Sequence, residues 1–203
     1  MVAEGAAGTG HELKTPSMHV RRPQTPRQVL RAYFGAKDEN RPHRLDMVFT
    51  PQAVLTVRNH ASSIAFPATT AGRAAIANVL VREFGATYEN VYSFYLASPP
   101  EDAPHFSCDW LVGMTAKGSG QARVGCGSYD WSFDVASCGL ADRLQITIHA
   151  MQVVPADAAP GLIDALTALD YPWTSAAQAL DMLPGLPELE PVRRYLAKNM
   201  PGT

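Results

Sequence analysis

Cysteine is scarce in this chain: Cys108, Cys126 and Cys138 are three in 203 residues, odd in number and widely spaced. That pattern excludes a disulfide framework, and no CxxC pair proposes a zinc site. Positive charge is scarce as well. Seventeen Lys and Arg against 19 Asp and Glu leave a net charge of −2, without the basic field that reads phosphate backbones, so nucleic acid is not the expected partner. No apolar run is long enough to span a bilayer, and no membrane partner is expected. The opening "MVAEGAAGTGHELKTPSMHVRRPQTP" has no apolar core of the secretory kind, which makes the cytoplasm the expected location. No Gly-rich phosphate loop follows a strand, and the histidines show no metal-ligand spacing, so no metal or organic cofactor is expected.

What the chain does contain is ordinary globular material, 46% hydrophobic and 18% charged, enough for one sizeable core. Residues 1–23 are rich in Gly, Ala, Thr and Pro without periodicity and read as a mobile tail. Thr25 and Pro26 open a helix carrying Val29, Leu30, Tyr33 and Phe34 at helical spacing. The polar break "KDENRP" leads to a short helix with Leu45, Val48 and Phe49. "AVLTVRN" alternates as a strand, with Ala53, Leu55, Val57 and Asn59 on one face. A loop runs to Gly72, and "RAAIANVLVREF" reads as a third helix. "NVYSFYLA", "HFSCDWLVGMT", "ARVGCGSYDWSF" and "RLQITIHAMQVV" read as four strands, the middle two joined by the hairpin turn "AKGSGQ". From residue 155 to 203 three short helices are expected, with Ser175 and Gln178 as a capping box. Helices preceding a mostly antiparallel run of strands indicate an α+β fold.

The stretch "GSYDWSF" sets Tyr129, Trp131 and Phe133 on one strand face and Ser128, Asp130 and Ser132 on the other. Folding the Gly-rich hairpin about its centre brings Tyr129 opposite Cys108, Trp131 opposite Phe106 and Gly127 opposite Trp110. One face then carries Phe106, Cys108, Trp110, Tyr129, Trp131 and Phe133, too many rings for a solvated surface. Phe106 and Phe133 read as core. Trp110, Tyr129 and Trp131 read as walls of an apolar cavity, where the polar tips of Tyr and Trp need partners. Cys108 and Cys126, inside apolar strands, read as small hydrophobes. Asn59 either caps its turn or meets a ligand. His60, in a polar loop, is a candidate acid or base at the mouth. Asp109 and Asp130 fall out of phase with the rings, and an inward Asp109 would require a bulge. His149 is likewise out of phase with Ile146 and Ile148.

The stretches "AYFGAKDENRPHRLDMVFTPQAVLTV", "GRAAIANVL", "GSYDWSF" and "RLQITIHAM" together resemble the nuclear transport factor 2-like superfamily. Within it the chain is similar to the SnoaL-like group of polyketide cyclases, ketosteroid isomerases and dehydratases. The likeness covers residues 24–154. It implies a curved, mostly antiparallel sheet wrapped around N-terminal helices as a cone with a central pocket, and a homodimer through the outer sheet face; the helices of residues 155–203 form a C-terminal helical extension beyond the likeness, covering either the main domain or a partner. It places Tyr33 where the isomerases keep an oxyanion-binding tyrosine, and Tyr129 near their second oxyanion donor. Their general base falls near Val57, and valine cannot move a proton. Two classes of function stay open: an enzyme that isomerises, cyclises or dehydrates a small apolar carbonyl compound through Tyr33, His60 and Asp109, or a pocket that binds without turnover. A third option is an accessory subunit docking through its C-terminal helices.

Overall fold

The computed structural model describes residues 24–198; the expected N-terminal tail lies outside them. Helix α1, Pro26–Lys37, starts at Thr25, whose side chain accepts from the Gln28 N–H while Gln28 reaches back to the Thr25 backbone. This reciprocal cap satisfies donors that a helix start otherwise leaves open. A short 3-10 turn, Pro42–Met47, leads into β1, Phe49–Asn59. The stretch expected as loop before Gly72 contains a three-residue strand, β2, Thr69–Ala71, paired antiparallel with β1. Helix α2, Arg73–Ala77, continues through one wider-wound turn, Asn78–Glu83, into α3, Phe84–Thr87.

Four long strands follow: β3 Tyr88–Tyr95, β4 His105–Ala116, β5 Ala122–Asp134 and β6 Leu140–Val154. The sheet order is β2-β1-β6-β5-β4-β3. Only β1 and β6 run parallel; every other pair is antiparallel. The hairpin register is the one read from the sequence, with Tyr129 opposite Cys108, Trp131 opposite Phe106 and Gly127 opposite Trp110. Gly127 is required there, because a methyl group would collide with the Thr147 carbonyl of β6. At this point the β5–β6 register slips, with Cys126 opposite Ala150 but Gly127 opposite Ile148. The slip is a bulge at His149. It turns Met151 toward the concave face and Ala150 toward the convex one, where strict alternation would have done the reverse.

Two cores result, one on each face of the sheet. On the concave face α1 lays Val29, Leu30, Tyr33 and Phe34 against the ring-bearing strands. On the convex face Phe94, Leu111, Val124, Cys126 and Val154 are covered by α4, Ala159–Thr167, α5, Ala176–Met182, and α6, Glu190–Lys198. Those helices contribute Leu162, Leu166, Ala179, Val192 and Leu196, all fully buried. Gly113 admits Leu166, which a side chain at 113 would displace. The chain therefore occupies with its own helices the outer face on which the resemblance places a second copy. The fold is an α+β cone with a curved mixed sheet.

Candidate functional site

The concave face closes around a cavity of about 50 Å³. Its wall is built by α1 (Tyr33, Lys37), β1 (Val57), the loop after β1 (Ile64, Phe66), the α2–α3 segment (Leu80, Phe84) and the strands β4–β6 (Trp110, Val112, Met114, Tyr129, Ile146, Ile148, Met151). Aromatic rings dominate. Tyr33 meets Tyr129 edge-on at 6.2 Å between centroids, and Trp110 stacks on Tyr129 at 5.6 Å. Phe34 lies flat against Tyr95 at 3.9 Å behind them.

Two polar atoms of this wall have no hydrogen-bond partner among the described residues: the Tyr33 hydroxyl and the Trp110 indole N–H, both buried. The Tyr129 hydroxyl approaches Tyr33 closely enough to act on its ionisation as a weak hydrogen-bond partner, but the pair falls short of full hydrogen-bond geometry and Tyr33 Oη has no other partner among the described residues. Burial drives both tyrosines far above the usual phenol range, and the Asp38 carboxylate adds to the effect. Both therefore remain protonated. A buried hydroxyl that stays neutral and lacks a partner can donate to an oxygen in the cavity, including one that gains negative charge.

Lys37 is the charged group of the wall. It is buried, and its Nζ lies 2.7 Å from Asp38 Oδ1 and donates to Ser93 Oγ at 2.7 Å. Its ammonium also sits 4.9 Å from the Phe84 ring centre. Asp38 is held in turn by the Ser93 N–H and hydroxyl, each at 2.9 Å, and by the Tyr171 hydroxyl at 3.1 Å. Such full satisfaction is what a buried ion pair requires. The sequence reading took "KDENRP" for a solvated break and missed this pair. The available signal was spacing: Lys37 falls one helical turn after Tyr33, on the buried side of α1.

The residues singled out from the sequence divide in two. Tyr33, Trp110 and Tyr129 come together in the cavity wall. Trp131 packs into the ring core instead, stacked on Phe49 at 5.9 Å and on Phe133 at 6.1 Å. Asn59 caps the loop after β1, accepting from the Ala61 N–H at 2.9 Å and donating to the Ile64 carbonyl at 2.7 Å. His60 is exposed and lines a larger outer groove of about 790 Å³, together with His149, Arg194 and Tyr195. Asp109 faces the convex side, where the Tyr195 hydroxyl donates to it at 2.7 Å. No bulge turns it inward: the β4–β5 register runs unbroken through it. Asp130 accepts from Ser107 and Gln145 on the same outer side. Among the described residues, the cavity wall thus contains no carboxylate and no histidine. Among the described residues, no group of three or more His, Cys, Asp or Glu is placed to hold a metal, and no helix is long and apolar enough to cross a membrane.

No protein-family model matches the chain, and no curated protein matches it in sequence. Solved structures do overlap it. A protein of ketosteroid isomerase-like fold from Catenulispora acidiphila, in complex with trimethylamine, aligns at 19% identity over 61% of this chain and 85% of its own, with a TM-score of 0.48. A putative isomerase from Rhodopseudomonas palustris aligns at 14% identity over 60% and 86%, TM-score 0.49. A nuclear transport factor 2-like protein from Burkholderia thailandensis aligns at 14% over 62% and 91%, TM-score 0.49. The chain's own geometry is a curved sheet closed around α1 with a ring-lined cavity, the cone that the sequence resemblance leads one to expect. Fold alone assigns no activity.

Proposed function

We propose that this chain is a small-molecule pocket protein that holds a small, largely apolar molecule bearing an oxygen acceptor, without turning it over. The observation that carries the reading is a pair of unpartnered buried donors, Tyr33 Oη and Trp110 Nε1, in a wall that is apolar apart from the Tyr129 hydroxyl and the paired Lys37. Burying a polar group without a hydrogen bond is costly, and a ligand acceptor removes that cost. At about 50 Å³ the space is well below the ~300 Å³ of common ligand pockets. The occupant is therefore very small, or the loop bearing Ile64 and Phe66 shifts to admit it.

Ketones from acetone to cyclohexanone test this, with the Trp110 indole N–H followed by NMR and assigned through Trp110→Phe. A saturable shift supports the reading, and linear, non-saturating shifts across the series overturn it.

A further inference from the structure

Arg123 lies one register step beyond the cavity wall. It is directly opposite Met114 of β4, a lining residue, and on the same strand face as Gly125, Gly127 and Tyr129. Side chains directly opposed across an antiparallel pair are neighbours on one face, ~5 Å apart at Cβ, so the guanidinium stem starts beside the cavity. Its Nε and Nη1 are buried and have no partner among the described residues. A guanidinium cannot neutralise itself by losing a proton; this one is half-buried, with two of its nitrogens withdrawn from solvent and left without a partner, which costs more than a solvated or paired charge. By contrast, the Lys37 charge in the cavity wall is matched by Asp38 at 2.7 Å, which leaves that carboxylate engaged elsewhere. The buried unpartnered atoms in and around the cavity wall are an O–H and N–H groups: Tyr33 Oη, Trp110 Nε1, Arg123 Nε and Nη1, and Trp131 Nε1 in the ring core behind the wall.

We propose that Arg123 is a specificity-determining residue at the edge of the cavity, and that the ligand carries an anionic oxygen group for it, with its apolar part among the rings. Carboxylate and phosphate share the oxygen geometry that matches two N–H groups of one guanidinium. The proposal rests on the pocket reading for the placement of the apolar part, but not for the anion site.

The test uses the full chain and three probes: cyclohexanecarboxylate, its neutral amide, and the small anions acetate and inorganic phosphate. Wild type is expected to bind the carboxylate at least tenfold more tightly than the amide. Arg123→Met keeps the apolar stem and should abolish that preference while changing amide affinity less than twofold. It is expected to melt no lower than wild type, since it removes an unpaired charge. The Arg123 Nε–H resonance should shift saturably with acetate or phosphate, and whichever binds more tightly identifies the group. A preference that survives Arg123→Met, or an Arg123 resonance that responds to neither anion, overturns the proposal. If the small anions shift Arg123 while neither the cyclohexane probes nor any ketone from acetone upward binds, the pocket reading fails and the anion site stands.

Discussion

Tyr33 carries the account at the scale of single residues. An unpartnered buried hydroxyl costs a fold about 1–3 kcal/mol, and this one is retained in the cavity wall. The other buried groups of the ring cluster make a separate prediction. Tyr33, Tyr95 and Tyr129 are all raised, with burial the largest cause, and Cys126 is pushed up to about 12 from 9.0, also chiefly by burial. Each raised group leaves the folded state protonated where the unfolded chain has begun to ionise. Their stability contribution is complete below pH 9 and is lost as pH climbs through 9–10 and above. Melting temperature is expected to hold to about pH 9 and then fall, while the 295 nm absorbance of these three tyrosines stays silent until unfolding. Ionisation of all three within the folded state would contradict the burial. Thiol reagents should likewise leave Cys108 and Cys126 unmodified in the native chain, since both are buried and raised.

At the scale of elements, the C-terminal helices and the loop after β1 have distinct tasks. Leu166 of α4 enters the gap left by Gly113. Gly113→Ala is expected to cost about 1–3 kcal/mol by overpacking, and Leu166→Ala about 2–5 kcal/mol by opening a cavity. Because the two touch, the double variant should cost less than the sum in urea denaturation, and strict additivity would argue against the contact. Asn59→Ala removes two of the hydrogen bonds that hold the 60–64 turn, leaving those from His60 N–H to Ile148 and from Ser63 to Met151. It should cost about 1 kcal/mol and speed amide exchange at Ala61 while leaving β4 and β5 unchanged.

Much of this layer was readable in advance. The α1 cap, the hairpin register and the alternation of rings follow from local chemistry, namely Thr25 with Gln28 and a Gly-rich turn. The His149 bulge was not readable, because it arises where Gly127 lets the Thr147 carbonyl approach, a contact between strands distant in sequence. Nor was the Lys37–Asp38 pair. Its partners, Ser93 and Tyr171, come from β3 and from the segment after α4, and local polarity alone marks such charges as solvated. His60 and Asp109 were plausible acids or bases by type, but strand phase and the outer helices place them away from the cavity.

At the scale of the whole molecule, the sheet is a partition between two cores, and the C-terminal helices satisfy the convex one. Among the described residues, the large hydrophobics that remain exposed, Met47, Val135, Tyr171 and Met182, come from four separate segments of the chain, and isolated exposed hydrophobics are normal on monomers. A single chain is the expected species in sedimentation; a stable dimer would have to use a surface other than the covered convex core. The central claim is that the concave cavity keeps its donors for a ligand and not for the fold. Tyr33→Phe tests it most directly, measured as thermal stability and cyclohexanone affinity on the same sample. The account predicts stability equal to or above wild type, since an unsatisfied hydroxyl is removed, with affinity about tenfold weaker, a loss of ~1.4 kcal/mol. A variant that is less stable but binds cyclohexanone as wild type does would contradict it.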